Sequence, residues 1–343
     1  MNLYLLMITI ISLIGIKINL KEFNEEYLSK ENTSCIKGIF ILIVFYSHLQ
    51  TYIPYQPTKD GLIFFVVKFL GQLMVTMFLF YSGYGIYESI KNKKNYIKSI
   101  PKKRIIKTLL NFDLAVLTFL IINIFFNTTP SIEKTIMALI GWESIGNSNW
   151  YIFGILALYF TTYISFTLFD KNKKAAFLSQ IALTLLLMIF LNVFKQGQTY
   201  WYNTMLCYPL GMIFSLYKEQ ITNYMKNNKK YIPIVLISAI SFILFKKSIK
   251  YNYIFYYLMT ISFTLSIVFA TMKIQFKSKA LKWFGDNLFW VYILQRIPMM
   301  ILHKLNYANG NAYRTALISF IATIVLTLIY SKFQKIIEIK TQK

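Results

Sequence analysis

Apolar stretches close to the length of a membrane-crossing helix recur along the whole chain, and this recurrence limits the fold more than any single motif does. A helix needs about 20 mostly apolar residues to cross the hydrocarbon core of a bilayer. Eleven such stretches are read, at Leu3 to Leu20, Ile36 to Ile53, Leu62 to Tyr87, Thr108 to Phe126, Trp150 to Phe169, Ala175 to Phe194, Trp201 to Tyr217, Tyr231 to Phe245, Tyr251 to Met272, Asp286 to Leu302 and Tyr313 to Tyr330. Within them apolar residues run on continuously instead of alternating, which argues for helices and against a membrane barrel. A chain that is 56% hydrophobic and 18% aromatic also lacks the polar surface to cover a soluble globule. The expected fold is all-α, a polytopic transmembrane bundle of about 10 to 11 helices forming one integral membrane domain over residues 1–343.

A formal net charge of +24 raises the question of nucleic acid, but the basic residues must first be placed relative to the spans. If the loop from Lys91 to Lys107 is cytoplasmic, most of the 37 Lys and Arg fall on the inside connections, the positive-inside pattern of membrane proteins. The N-terminus is then outside and the C-terminus cytoplasmic, and no nucleic-acid partner is expected. Lys246, Lys247 and Lys250 are the exception, falling on the outer side. Residues 1–20 lack the positive start and small-residue cleavage site of a secretory signal and read as a retained helix. Cys35 and Cys207 have neither a CxxC spacing nor His neighbours, so no metal site is expected. Nothing resembling a soluble catalytic domain interrupts the apolar runs, which places any chemistry in the membrane.

Two groups of polar residues then stand out, at opposite ends of the spans. His48, one of only two histidines, shares an apolar span with Lys37. Such groups cost several kcal/mol when they face lipid, so they should line a protein interior or a wet cavity. Eleven residues of helix separate the two by about 16 Å, about half the hydrocarbon thickness, with His48 near the outer exit. A neutral imidazole there could take a proton from a hydroxyl, because its ordinary pKa of about 6.5 suits a general base. A hydrogen-bonded packing role is the plainer alternative. On the inner side lies the densest basic cluster, from Lys91 through Lys103, Arg104 and Lys107. Arg104 and Lys107 share a helical face and could hold two phosphates of one anionic ligand, or the cluster could simply fix orientation and touch anionic lipid.

Lesser features have their own readings. Residues 81–85, with Gly83 and Gly85, should allow close helix packing. Lys68 and Gln72 share a face and could line an outer pore. Asp113 should be neutralised by a partner such as Lys37. Arg296, flanked by apolar residues, should pair internally or reach water, and His303 should lie at the interface.

Read together, several segments resemble the acyltransferase family 3 membrane proteins. The stretch from Cys35 to Leu49 (CIKGIFILIVFYSHL) is similar to the family's opening helix, in which a basic residue, usually Arg, and a His are separated by ten intervening residues; Lys37 and His48 keep that spacing. FLFYSGYGI at 78–86 resembles the Phe-rich Ser-Gly segment that precedes a basic loop, and Arg104-Ile-Ile-Lys107 the family's Arg-x-x-Arg. NSNWYI at 147–152 and FGDNLFWVYILQRIP at 284–298 are weaker matches. Lysine replaces arginine at Lys37 and Lys107, which keeps charge but not the planar fork. The ordered matches span roughly Cys35 to Pro298 and imply a helical core over residues 31–335, with residues 1–30 as an extra N-terminal helix and short cytoplasmic linker.

The resemblance implies a membrane O-acyltransferase moving an acyl group, commonly acetyl, from cytoplasmic acyl-CoA to a hydroxyl of a cell-surface glycan or lipid-linked sugar. Coenzyme A phosphates would meet Lys103, Arg104 and Lys107, the pantetheine arm would run past Lys37 toward His48, and Glu143 is the one acid available to orient that base. The partners are then acyl-CoA, the sugar acceptor and the bilayer, in a bacterial cytoplasmic membrane. A glycan flippase, polymerase or transporter, which needs no acyl-CoA, is the alternative class. Oligomeric state, acyl group and sugar are not legible.

Overall fold

The computed structural model describes residues 2–53, 57–307 and 312–342. Each of the eleven apolar stretches carries helix, but not all as single crossings. Seven helices among the described residues are long and apolar enough to span a membrane. They are α2 (Lys30–Leu49), the run of α5 (Tyr96–Ile100), a π-helical turn (Pro101–Ile106) and α6 (Lys107–Phe125), then α8 (Trp150–Leu168), α9 (Lys173–Phe194), α12 (Asn228–Ser248), α13 (Ile254–Thr271) and α17 (Ala312–Gln342). The chain is a multi-pass membrane protein.

The remaining stretches are shorter or broken, for local reasons. The first was read to Leu20, but α1 (Asn2–Leu13) ends earlier. Gly15 turns the chain there at φ 76, where a side chain would meet the Lys277 carbonyl at 3.0 Å. Strand β1 (Ile16–Ile18) follows and pairs antiparallel with β2 (Ile274–Phe276), Lys17 opposite Gln275. The stretch at Leu62 to Tyr87 is two helices, α3 (Pro57–Leu70) and α4 (Leu73–Asn92), bent by 46° at Gly71, which has φ 48. Lys68 and Gln72 therefore lie on either side of a bend and not on one helical face. Trp201 to Tyr217 becomes a short α10 (Cys207–Leu216), and Asp286 to Leu302 is split at Gln295 into α15 (Leu288–Leu294) and α16 (Arg296–Lys304). Three eight-residue helices, α7 (Ile132–Leu139), α11 (Lys218–Met225) and α14 (Lys279–Asp286), complete the bundle.

α2 is the central helix. Its apolar window is 78% buried by protein, against 11% for α12, whose faces are left to lipid. That answers the first physical question about Lys37 and His48, which belong to a helix wrapped by other helices. Its start is capped by Ser29, whose side chain accepts from the Asn32 N–H.

Two helix pairs are locked by reciprocal glycines. In the α2–α14 pair, a Cβ on Gly38 would lie 2.1 Å from the Leu281 carbonyl oxygen, and one on Gly285 would lie 1.8 Å from that of Ser34. In the α4–α10 pair, Gly83 and Gly211 each bring their helix to 2.0 Å by the same measure, against the carbonyls of Tyr208 and Phe80. Backbones this close require residues without side chains. Gly85, expected to share that role, has open space where its side chain would be.

Candidate active site

Clamping α14 onto α2 positions the first polar cluster. Ser34, one turn before Lys37, donates from Oγ to Asp286 Oδ1 at 2.7 Å, and Lys282 Nζ donates to Oδ2 at 2.5 Å. Asp286 is also the carboxylate that faces Lys37. Asp113, the partner expected for Lys37, is not in that arrangement; its Oδ1 is buried without a hydrogen bond. The reason lies in chain topology: the tight Gly38 and Gly285 crossing brings α14 to the start of α2.

Asp286 also lines a cavity of about 360 Å³. Lys103, Arg104 and Lys107 line the same cavity, so the three basic residues singled out in the sequence do converge on one space. Lys103 and Arg104 enter it from the π-helical turn that begins at Pro101, a local departure from α geometry of the kind often found at functional sites, and Lys107 from the first residue of α6. Arg104 is held in place: its Nε donates to the Tyr96 hydroxyl at 2.8 Å, and its guanidinium lies 6.0 Å from the Tyr159 ring centre. Lys91, from the same basic loop, is engaged elsewhere, 2.6 Å from Glu88 and 3.0 Å from the Ser215 carbonyl.

From that basic rim the cavity runs between aromatic walls. Tyr159, Ile155 and Tyr151, spaced one turn apart on α8, form one side, with Ser82 of α4 and Tyr292 of α15 further in. The Tyr151 and Tyr292 rings are 5.5 Å apart, and Tyr292 lies 5.9 Å from the His48 ring. A volume of this size falls within the range of about 300–1,000 Å³ usual for small-molecule sites. The basic rim is at the end where α2 begins and His48 is near the end where it stops; His48 does not itself line the cavity and meets it through the Tyr292 ring.

His48 Nδ1 is buried and has no hydrogen-bond partner. Glu143 does not supply one. Its carboxylate is 3.1 Å from Lys195 Nζ, which also donates to the Trp142 carbonyl at 2.8 Å and lies 4.0 Å and 4.6 Å from the Trp142 and Trp201 ring centres. The pair is a buried cation in an aromatic cage with its counterion. His303, at the end of α16, has Nδ1 3.3 Å from the Tyr52 carbonyl in an exposed position, as an interfacial residue would.

The groups that sequence reasoning passed over as site residues are Asp286, Tyr96, Tyr151, Tyr159 and Tyr292. A signal was present for the α8 wall, since Tyr151, Ile155 and Tyr159 recur at four-residue spacing. Asp286 and Tyr292 lie inside the 284–298 segment that resembled the family. Among the described residues no group of three or more His, Cys, Asp or Glu is placed to hold a metal ion, and Cys35 and Cys207 are buried as free thiols.

No curated protein and no solved structure gives a match to this chain. A family model does: that of the acyltransferase domain of acyltransferase family 3 matches residues 33–331, a segment that holds both helices of the α2–α14 clamp, the whole cavity lining except Gln334, and His48. With nearly the whole chain matched and a bundle of membrane-spanning helices around one polar cavity, the protein belongs to acyltransferase family 3 and is a membrane acyltransferase.

Proposed function

We propose that the protein takes an acyl group, acetyl in the simplest case, from acyl-CoA on the cytoplasmic side and transfers it to a hydroxyl of a cell-surface glycan or lipid-linked sugar. The observation that carries this reading is the cavity itself, with Lys103, Arg104 and Lys107 at one end and Tyr292, beside His48, at the other. Three cations around one rim suit the phosphates of coenzyme A, which guanidinium and ammonium groups hold through charge-assisted hydrogen bonds. The narrow aromatic walls suit the uncharged pantetheine arm. In this proposal the thioester comes to rest near Tyr292, and the nucleotide stays at the basic rim.

His48 is then the general base that removes the proton of the acceptor hydroxyl as it attacks the thioester carbonyl, a direct transfer without a protein nucleophile. Lys37, with Asp286 as the acid nearest in charge, keeps the start of the passage polar. Glu143, bound to Lys195, stays outside the proposal. The charge distribution supports an orientation with the basic rim cytoplasmic, the N-terminus outside and the C-terminus inside, in a bacterial cytoplasmic membrane. The reading is tested by equilibrium binding of radiolabelled acetyl-CoA to the purified protein in nanodiscs. Saturable binding that weakens in Arg104→Ala is expected, and an absence of saturable binding would remove the reading.

A further inference from the structure

Most cations near the site have a described partner; among the described residues Lys103, which is exposed on the rim, and Arg296 do not. Lys37 faces Asp286, Arg104 is bonded to Tyr96, Lys195 is bonded to Glu143, and Lys107 is also engaged. Arg296 has none: its Nε is buried without a hydrogen bond, and among the described residues no carboxylate pairs with it. It opens α16 immediately after the break at Gln295, one turn beyond Tyr292, whose ring lies 5.9 Å from that of His48. The groups on which its charge falls are the His48 imidazole and the phenols of Tyr292 and Tyr52, none of them an acid at neutral pH. From the loop that precedes α8, Ser148 also lies beside Tyr292; its hydroxyl is buried without a partner, as is the Gln295 Oε1 next to Arg296 in sequence.

A guanidinium remains charged in any protein environment, and leaving the buried Nε of half-buried Arg296 without an acceptor is costly. Such a cost is recovered if negative charge forms beside it during the reaction, because a fixed donor in a dry site stabilises a developing oxyanion more than it stabilises the neutral ground state. The planar donor array also suits an oxygen arriving from one side.

We propose that Arg296 is a catalytic residue that donates hydrogen bonds to the oxyanion formed on the thioester carbonyl. This rests on the reading of His48 as base and acyl-CoA as donor. As the acceptor oxygen bonds to the carbonyl carbon, its proton passes to the His48 ring and the carbonyl π pair moves onto oxygen, where Arg296 holds it. On collapse the C–S bond breaks, and the imidazolium returns the proton to the leaving thiolate. Atoms and charge balance with no further reactant.

The test uses the full chain in nanodiscs with acetyl-CoA as donor, the lipid-linked sugar fraction of bacterial membranes as acceptor and release of free thiol as readout, for wild type, Arg296→Met and Arg296→Lys. Arg296→Met is expected to lower kcat about 10²–10³-fold, with the KM for acetyl-CoA within about twofold and the melting temperature kept. Arg296→Lys should recover part of the rate, and so should guanidinium added to Arg296→Met at non-denaturing concentration. A structural arginine would not give that rescue, so a slow Arg296→Met protein that neither guanidinium nor Arg296→Lys restores overturns the proposal. So does a loss confined to KM, or an unchanged kcat. Absence of thiol release by wild type overturns the transferase reading and the role of Arg296 together, whereas wild-type turnover with an unimpaired Arg296→Met overturns the role of Arg296 alone.

Discussion

Replacing Gly285 by alanine should separate the helix pair that sets the site, by an amount the structure fixes. The added Cβ would stand 1.8 Å from the Ser34 carbonyl oxygen, 2.5 Å from its carbon and 2.9 Å from the Ser34 Cα, all of it backbone that cannot rotate away. A carbon and a carbonyl oxygen need about 3.3 Å, so α14 must move from α2 by about 1.5 Å. A gap of that size forfeits much of the dispersion energy along the crossing. It also stretches the 2.7 Å Ser34 to Asp286 hydrogen bond beyond bonding range. Overpacking together with the lost bond should cost at least about 3 kcal/mol. Asp286 and, through the short α15, Tyr292 would be displaced from the cavity, which predicts a fall in transfer of about 100-fold or more. Gly85→Ala is the control, since its added methyl meets nothing within 4 Å and should stabilise by up to about 1 kcal/mol through helix propensity. Thermal unfolding of both variants in one detergent reads the difference. Equal melting temperatures would refute the argument from close approach.

Other consequences follow from single contacts. Arg104→Ala should weaken acetyl-CoA binding about 10- to 100-fold with the fold intact, the worth of one or two charge-assisted hydrogen bonds; unchanged affinity would take Arg104 out of the site. Tyr96→Phe removes only the 2.8 Å hydrogen bond that steadies Arg104, so a loss of a few-fold is expected from the same titration, and a loss as large as that of Arg104→Ala would contradict it. Lys195→Met empties the Trp142 and Trp201 cage of its cation and leaves the Trp142 carbonyl without its donor; a destabilisation of about 2 kcal/mol with acetyl-CoA affinity unchanged is expected in a melting assay and a binding assay run side by side. Accessibility tags at residue 1 and in the loop from Lys91 to Lys98 should report opposite sides of the membrane. Labelling of both from one side would reverse the charge argument for orientation.

Long apolar runs translate directly into helices because a chain in lipid has no other way to satisfy its backbone. For that reason α2, α8, α9, α12, α13 and α17 were legible from composition alone. The interruptions were not. The bends at Gly71 and Gln295 and the turn at Gly15 depend on what packs against them, and Leu3 to Leu20 and Leu62 to Tyr87 read as uninterrupted crossings. Convergence of Lys103, Arg104 and Lys107 could be anticipated, since they are close in sequence and enter one helix. Pairing across long separations could not: Asp286 reaches Ser34 over 252 residues, and Lys195 reaches Glu143 over 52. Those two contacts removed Asp113 and Glu143 from the places that sequence reasoning assigned them, because nothing local tells which of several acids will meet a distant cation. Arg296, expected to pair internally or reach water, is half-buried, and among the described residues its Nε has no hydrogen bond.

The central claim is that His48 takes the proton of the acceptor hydroxyl while other residues hold the acyl donor. It is tested most directly by measuring acetyl-CoA affinity and acetyl transfer in the same His48→Ala preparation. The account predicts affinity within about twofold of wild type and transfer lowered about 10²–10⁴-fold, the usual worth of a general base. Retention of transfer, or loss of binding and transfer together, would contradict it.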